Sequence, residues 1–319
     1  MDSLTKNRQS NETIEKMVFH VFHCKLSSDD DAVVELKEGW FNVAYFIRLE
    51  DHREVALKIA PPSSADVMTY EKGMMRSEVT LMSRAYDLGI PCPCIYGYDD
   101  THQICDADYF FMEKCVGSNF EHVRDSLDEK VRASINHQIG QWTKEWNRDV
   151  STFFGYMHNK ELQASSWKDA FFKMVKSVLN DGKKHHVDLG FEYDHIFNIY
   201  QKYADVLDEV TQPHFIHWDC WDSNVFVSDG KVTGILDFER GFFGDPLAEA
   251  LFRMRNQHQL KGYGKLSFTP YEELRMRLYD GYLYLIMIIE DTYRHYPTDD
   301  IRQYGYQQLS KWMKDLSMS

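Results

Sequence analysis

Long apolar runs are missing from this 319-residue chain. The longest, Tyr282 to Ile289, is far too short to cross a bilayer; it is expected inside a buried helix, with no membrane partner. Cysteine is scarce as well: six residues, at 24, 92, 94, 105, 115 and 220, form no disulfide framework. With the polar start Met1-Asp2-Ser3-Leu4-Thr5-Lys6, which carries no signal-peptide pattern, they predict a reducing, cytoplasmic setting. Cys92-Pro93-Cys94 has no second Cys or His pair at ligand spacing, so a proline-stiffened loop is expected and no structural zinc. An excess of positive charge is also absent. The formal net charge of −14 disfavours a nucleic-acid partner and suits a cationic ligand, although ordinary solubility explains it equally well. The runs Asp29-Asp30-Asp31 and Asp99-Asp100 read as solvated loops. There is no internal repeat, no low-complexity tract and no G-x-G-x-x-G motif, and Gly262-Tyr263-Gly264-Lys265 lacks the spacing of a Walker loop.

The length suffices for two lobes. Ile14, Met17, Val18, Val21 and Phe22 recur at helical spacing and predict a short amphipathic helix. Val33 to Leu36, Trp40 to Leu49 and Glu54 to Ile59 read as successive strands, and Ser77 to Leu88 as a helix stopped by Gly89 and Pro91. Ile95 to Tyr98 and Tyr109 to Glu113 return to strand character. After Gly117 the pattern turns helical: Val131, Ile135, Ile139, Trp142 and Trp146 mark one face, and Trp167 to Leu179 another helix. Thr269-Pro270-Tyr271-Glu272 combines an N-cap, a proline at the first helical position and a capping-box glutamate. The expectation is an α+β, bilobal chain: a small antiparallel sheet with one key helix over residues 1–114, a hinge near Glu113 to Gly117, and a larger, mainly α-helical lobe over 115–319.

The chemistry concentrates in His217-Trp218-Asp219-Cys220-Trp221-Asp222-Ser223-Asn224 and the hairpin directly after it. Val225 to Val227 reads as a strand, Ser228-Asp229-Gly230 as a turn and Val232 to Leu236 as the returning strand, which sets Asn224 beside Asp237. Two oxygen ligands at neighbouring strand ends suit Mg²⁺. Asp219, in the loop, is placed to accept a hydrogen bond from an incoming hydroxyl and aim it at a γ-phosphate. Spacing selects Asp219 over Asp222, since only Asp219 completes H-x-D-x-x-x-x-N. Asp222 then bonds locally or faces the acceptor. A plain tight turn would use the same residue types, but not with a second aspartate at the matching strand end.

A kinase cleft needs a lysine on a strand and a glutamate on a helix to hold it. Lys58, in Val55-Ala56-Leu57-Lys58-Ile59, and Glu78 meet that need in the right order, with Glu71 as a rival helix partner. The turn Glu38-Gly39-Trp40-Phe41-Asn42 occupies the place of a loop over the nucleotide, which makes Gly39 and Asn42 candidate contacts. Phe111-Met112-Glu113-Lys114-Cys115 stands where backbone groups of Glu113 and Cys115 would meet adenine. Trp218 and Trp221 read as packing anchors.

Together, His217-Trp218-Asp219 with Asn224, Ile235-Leu236-Asp237-Phe238-Glu239 and Gly244-Asp245-Pro246 resemble the aminoglycoside phosphotransferase and choline kinase-like family of the protein-kinase-like fold, over most of the chain. The resemblance implies Asp219 as the hydroxyl-orienting base, Asn224 and Asp237 on Mg²⁺, Lys58 on the phosphates of ATP or GTP, Glu78 as its partner, and His217 as a structural orienter. It implies a small-molecule acceptor: an aminoglycoside or other antibiotic, or a choline-like or sugar-like metabolite. Four positions depart from the family pattern. Trp218 and Ser223 replace glycines, Asn147 a histidine and Glu249 an aspartate. A protein kinase is disfavoured by the lack of D-F-G and A-P-E segments. A nucleotide-binding pseudokinase would ordinarily have lost one of these groups, and none is lost.

Overall fold

The structure is a computed structural model in which residues 5–37, 39 and 41–317 are described; Glu38 and Trp40 of the first turn lie outside them. The first elements are α1 (Asn11–Phe22), β1 (Val33–Leu36), β2 (Val43–Arg48), β3 (Glu54–Ile59), α2 (Met74–Asp87), β4 (Ile95–Asp99) and β5 (Tyr109–Glu113). The five strands form one antiparallel sheet in the order β1-β2-β3-β5-β4. Along β2 burial alternates strictly, and Val43, Tyr45 and Ile47 pack with Ile14, Met17 and Val18 of α1. A methyl group on Gly97 of β4 would fall 2.7 Å from Val21, so the helix can lie on the sheet only where that side chain is missing.

Beyond the sheet come β6 (Ser118–Asn119), α3 (Phe120–Val123), α4 (Glu129–Trp146), β7 (Gly155–Tyr156), α5 (Trp167–Lys184), α6 (Tyr193–Lys202) and β8 (His214–Ile216). The chain continues through β9 (Val225–Ser228), β10 (Lys231–Ile235), β11 (Phe242–Gly244), α7 (Ala250–Met254), α8 (Gln257–Tyr263), α9 (Pro270–Arg294) and α10 (Asp300–Ser317). This is an α+β, bilobal, kinase-like architecture: a small antiparallel sheet followed by a larger, mainly helical part. The capping box forms as read, Thr269 accepting from the Glu272 amide and Glu272 from the Thr269 amide. The apolar run of α9 lies in a core that includes Trp167, Phe171 and Tyr279.

Two element starts differ from the expectation. The second strand runs from Val43, after Phe41 and Asn42; Trp40, where it was expected to begin, lies outside the described residues. The helix expected from Ser77 starts at Met74, behind Gly73 at φ +71°, because buried Met74 and Met75 extend its apolar face by a turn. Glu78 therefore sits inside α2 rather than at its start. In the hairpin, Asp229 (φ 50°) and Gly230 (φ 72°) both take left-handed backbone, the pairing that a two-residue type I′ turn needs.

Helix α2 joins the two parts. Its Leu81, Met82 and Ala85 share a core with Phe215, Val225, Ile235 and Phe238 around the hairpin. Each such buried side chain contributes roughly 1.5–3 kcal/mol, so Glu78 is carried on a helix anchored against the loop that carries Asp237.

Candidate active site

Lys58 lies on β3 opposite Ala44 of β2 and Phe110 of β5. Its neighbours Leu57 and Ile59 are buried on the other side of the strand, which leaves the ammonium to the cleft. There Nζ donates to both carboxylate oxygens of Glu78 at 2.8 Å, to Asp237 Oδ1 at 2.7 Å and to Glu239 Oε2 at 3.2 Å. Glu71, the rival partner, is instead buried against Arg294. Three carboxylates around one ammonium leave an excess of negative charge, and the titrations respond. Burial alone would lower the Lys58 pKa, but Asp237, Glu78 and Glu239 outweigh it and hold it well above its usual value. Burial pushes the Glu78 carboxyl up to about 8 despite Lys58, and burial with the Asp237 charge raises Glu239. For Asp237 burial is overcome by Lys58 and the carboxyl is lowered.

Glu239 was not among the sequence-read site residues. Asn42 was, and it reaches the cluster through Glu239: its Nδ2 donates to Glu239 Oε2 at 2.7 Å. Oxygen atoms of Glu78, Asp237 and Glu239 all lie within 4.8 Å of one another, hard donors of the kind that could hold a divalent cation, and in this structure the Lys58 ammonium bonds all three.

The second half of the site is the loop between β8 and β9. His217 is fully buried; its Nδ1 accepts the Asp219 amide at 3.3 Å, which leaves Nε2 to donate to the Leu236 carbonyl at 3.0 Å. Asn224 Nδ2 donates to the Asp219 carbonyl at 2.8 Å, and the Leu236 amide to the Asn224 carbonyl at 2.9 Å. Asp219, Asn224 and the residue before Asp237 are thus tied by one hydrogen-bond chain. Asp237 itself adopts φ 68°, ψ 52°, a left-handed kink that ends the hairpin. The Asp219 carboxylate accepts from the Trp221 indole at Oδ1, and its Oδ2 stands 4.0 Å from Arg240 Nε. Asp222 turns away to Arg124, at 2.8 Å.

The departures from the family pattern now have local accounts. Trp218 takes φ 71°, a conformation glycine adopts freely and other residues at a cost of roughly 1–2 kcal/mol. Its ring offsets this by burial, against Phe242 at 5.5 Å and Tyr282 at 5.8 Å, with Arg253 at 4.3 Å over its face. Ser223 is not among the positive-φ residues, so its position has no such need of glycine. Glu249 clamps the start of the loop. Its Oε1 accepts from Trp146 Nε1 at 2.6 Å, Asn147 Nδ2 at 2.9 Å and the His217 amide at 3.0 Å, and its Oε2 from the Trp218 amide at 3.1 Å.

Gly39 (φ +94°), Glu113 and Cys115 share no hydrogen bond or ion pair with the Lys58 cluster among the described residues. Glu113 ends β5 opposite Val55, three residues along β3 from Lys58, and bonds through its amide to the Cys94 carbonyl at 2.9 Å. Cys115 packs on Gly234, where an added methyl would fall 2.7 Å from Sγ.

A sheet-borne lysine paired to a helix glutamate, facing a loop aspartate and a metal-suited carboxylate across two lobes, defines a kinase-like phosphotransferase. The sequence matches the phosphotransferase enzyme family over residues 32–253, and the chain belongs to that family. No curated protein matches it. Among solved structures it is similar to a Thermobifida fusca protein provisionally named fructosamine-3-kinase (15% identity, 96% of this chain and 100% of that one, TM-score 0.67). It is also similar to a thermostable mutant of aminoglycoside phosphotransferase APH(4)-Ia solved with AMP-PNP and hygromycin B (14% identity, 95% and 98%, TM-score 0.63). A third is the streptomycin-ATP complex of APH(2″)-IIa (15% identity, 98% and 97%, TM-score 0.60).

Proposed function

We propose that the protein is a Mg²⁺-requiring kinase that transfers the γ-phosphoryl group of ATP or GTP to a hydroxyl of a small molecule. The observation that carries the reading is the convergence of Glu78, Asp237 and Glu239 on Lys58, beside a loop that presents Asp219. Lys58 holds nucleotide phosphates, with Glu78 fixing its position. Asp237 and Asn224 hold the metal, which neutralises charge on the transferring group. Asp219 receives the acceptor hydroxyl. The chain segment at Gly39 and Asn42 covers the nucleotide, and the backbone at Glu113 and Cys115 meets its base.

The acceptor class is a small polyhydroxylated or amino compound, with aminoglycosides first and choline-like or sugar-like metabolites second. Support comes from similar folds solved with hygromycin B or streptomycin, and from the formal net charge of −14, which suits a cationic ligand. Six unpaired cysteines suit a reducing, cytoplasmic setting. The test is a panel of aminoglycosides, other antibiotics, choline-like amines and sugars, assayed separately with ATP and GTP, the product identified by a mass gain of one phosphoryl group. Nucleotide binding without turnover on any acceptor would replace this reading with that of a pseudokinase serving as an interaction module.

A further inference from the structure

The Asp219 backbone is held at both ends, its amide by His217 Nδ1 (3.3 Å) and its carbonyl by Asn224 Nδ2 (2.8 Å). Among the described residues its side chain accepts one hydrogen bond, from the indole N–H of Trp221 at Oδ1, and its Oδ2 stands 4.0 Å from Arg240 Nε, beyond hydrogen-bond distance. That indole is itself backed: the Arg253 guanidinium lies 5.5 Å from its centroid and 4.3 Å from that of Trp218, and donates to the Trp218 carbonyl at 2.7 Å. Trp221 is half-buried, so core burial does not account for its placement in the way it does for Trp218, which is 1% exposed.

We propose that Trp221 is a positioning residue for phosphoryl transfer: its indole N–H fixes the Asp219 carboxylate so that Oδ2, which accepts no hydrogen bond and has Arg240 4.0 Å away, faces the acceptor hydroxyl. This rests on the kinase reading above. In the step it serves, the acceptor oxygen forms a bond to the γ-phosphorus while its proton passes to Asp219 Oδ2. The bond from that phosphorus to the β,γ-bridging oxygen breaks, and its electron pair leaves with the nucleoside diphosphate. A carboxylate free to rotate would present either oxygen at varying distance, and misplacement by about 1 Å costs on the order of 10²-fold in rate.

The test compares wild type, Trp221→Phe, which keeps a ring under Arg253 but deletes the donor, and Trp221→His, which restores an N–H. Expected for Trp221→Phe is a kcat lowered about 10- to 100-fold with KM for nucleotide within about twofold, and partial recovery of kcat in Trp221→His. Separately, protein carrying ¹⁵N-labelled tryptophan is examined without ligands. The indole cross-peak lost in Trp221→Phe identifies Trp221, and Asp219→Asn is expected to move that peak upfield in the proton dimension. An active wild type whose kcat is unchanged in Trp221→Phe, or a Trp221 peak indifferent to Asp219→Asn, overturns the proposal alone. A wild type with no turnover on any acceptor overturns the kinase reading and the proposal with it, so the two failures are distinguishable.

Discussion

Replacing Lys58 by methionine removes the one cation that, among the described residues, bonds Glu78, Asp237 and Glu239, and keeps most of the side-chain volume. The oxygen atoms left behind lie within 4.8 Å of one another. At the effective dielectric of about 20 that describes protein sites, each ionised pair at that separation repels by roughly 3.5 kcal/mol. The chain avoids most of this by binding protons, and Asp237, whose side chain is 34% exposed, is also screened by water. Stripping one partner from a buried ionic group costs about 3–5 kcal/mol, and that is the expected loss at pH 8. Without Lys58 the folded carboxyls hold protons above the pH at which the unfolded ones release them. Stability therefore falls as pH rises through that window, and the variant should lose far less at pH 5.5 than at pH 8. Urea denaturation of both proteins at the two pH values reads the difference. Millimolar Mg²⁺ should raise the Tm of Lys58→Met more than that of wild type, because the ion takes the place of the missing ammonium. A variant as stable as wild type at pH 8, or one destabilised equally at both pH values, would refute the charge-cluster reasoning.

Asp219→Asn should lower kcat by about 10²- to 10⁴-fold while nucleotide affinity, measured by calorimetry, stays within a few-fold, as expected when a group acting on the acceptor proton is lost. Trp218→Gly relieves a left-handed backbone but empties a buried indole site; about 3–5 kcal/mol of lost packing outweighs the 1–2 kcal/mol gained, and chemical denaturation should show a net loss near 2–3 kcal/mol. Asp280, on α9, has its carboxyl pushed up to about 6 by burial, against the pull of Arg253, Arg255 and Arg277. Because the folded pKa is raised, wild-type stability declines as pH climbs from about 4 to about 6, and the penalty is complete above that. Asp280→Asn should therefore gain about 1–2 kcal/mol at pH 7.5, and the gain should vanish near pH 4.

What could be read from the chain is what local rules govern. The Thr269 capping box and the hairpin turn each follow from neighbours a few residues apart; the box forms as expected, and the turn closes on Asp229-Gly230, Ser228 joining β9. The spacing from His217 to Asn224 likewise encodes one loop closed on itself. Contacts that depend on distant partners left no such trace. Glu239 bonds Asn42 across 197 positions, and Glu249 grips the loop from 31 and 32 positions beyond it. Trp221 is the instructive case: an indole two residues from Asp219 reads as a packing anchor, because sequence carries no sign of which way an N–H points.

The two sides of the cleft differ in how their charge is balanced. Beside Asp219, Arg240 pairs with Glu290 at 2.8 Å, Glu290 with Arg294 at 2.5 Å, and Arg294 with Glu71, two cations against two anions. Phe41 adds its ring face to Arg294 at 4.5 Å, so a residue of the first turn rests on the end of α9. Among the described residues each cation of this side is matched by a carboxylate, with the Asp219 carboxylate a further 4.0 Å from Arg240. Around Lys58 one cation faces three carboxylates, and burial already forces the Glu78 and Glu239 carboxyls upward. Only a further cation settles that imbalance with all three ionised. On the proposed reading a divalent ion supplies it, and the proton held by the raised Glu78 carboxyl is released as the ion binds. Calorimetric titration of Mg²⁺ alone into the protein, in buffers of different ionisation enthalpy, should record net proton release at about pH 7. A binding enthalpy independent of buffer would mean that the cluster is already balanced and that the ion sits elsewhere.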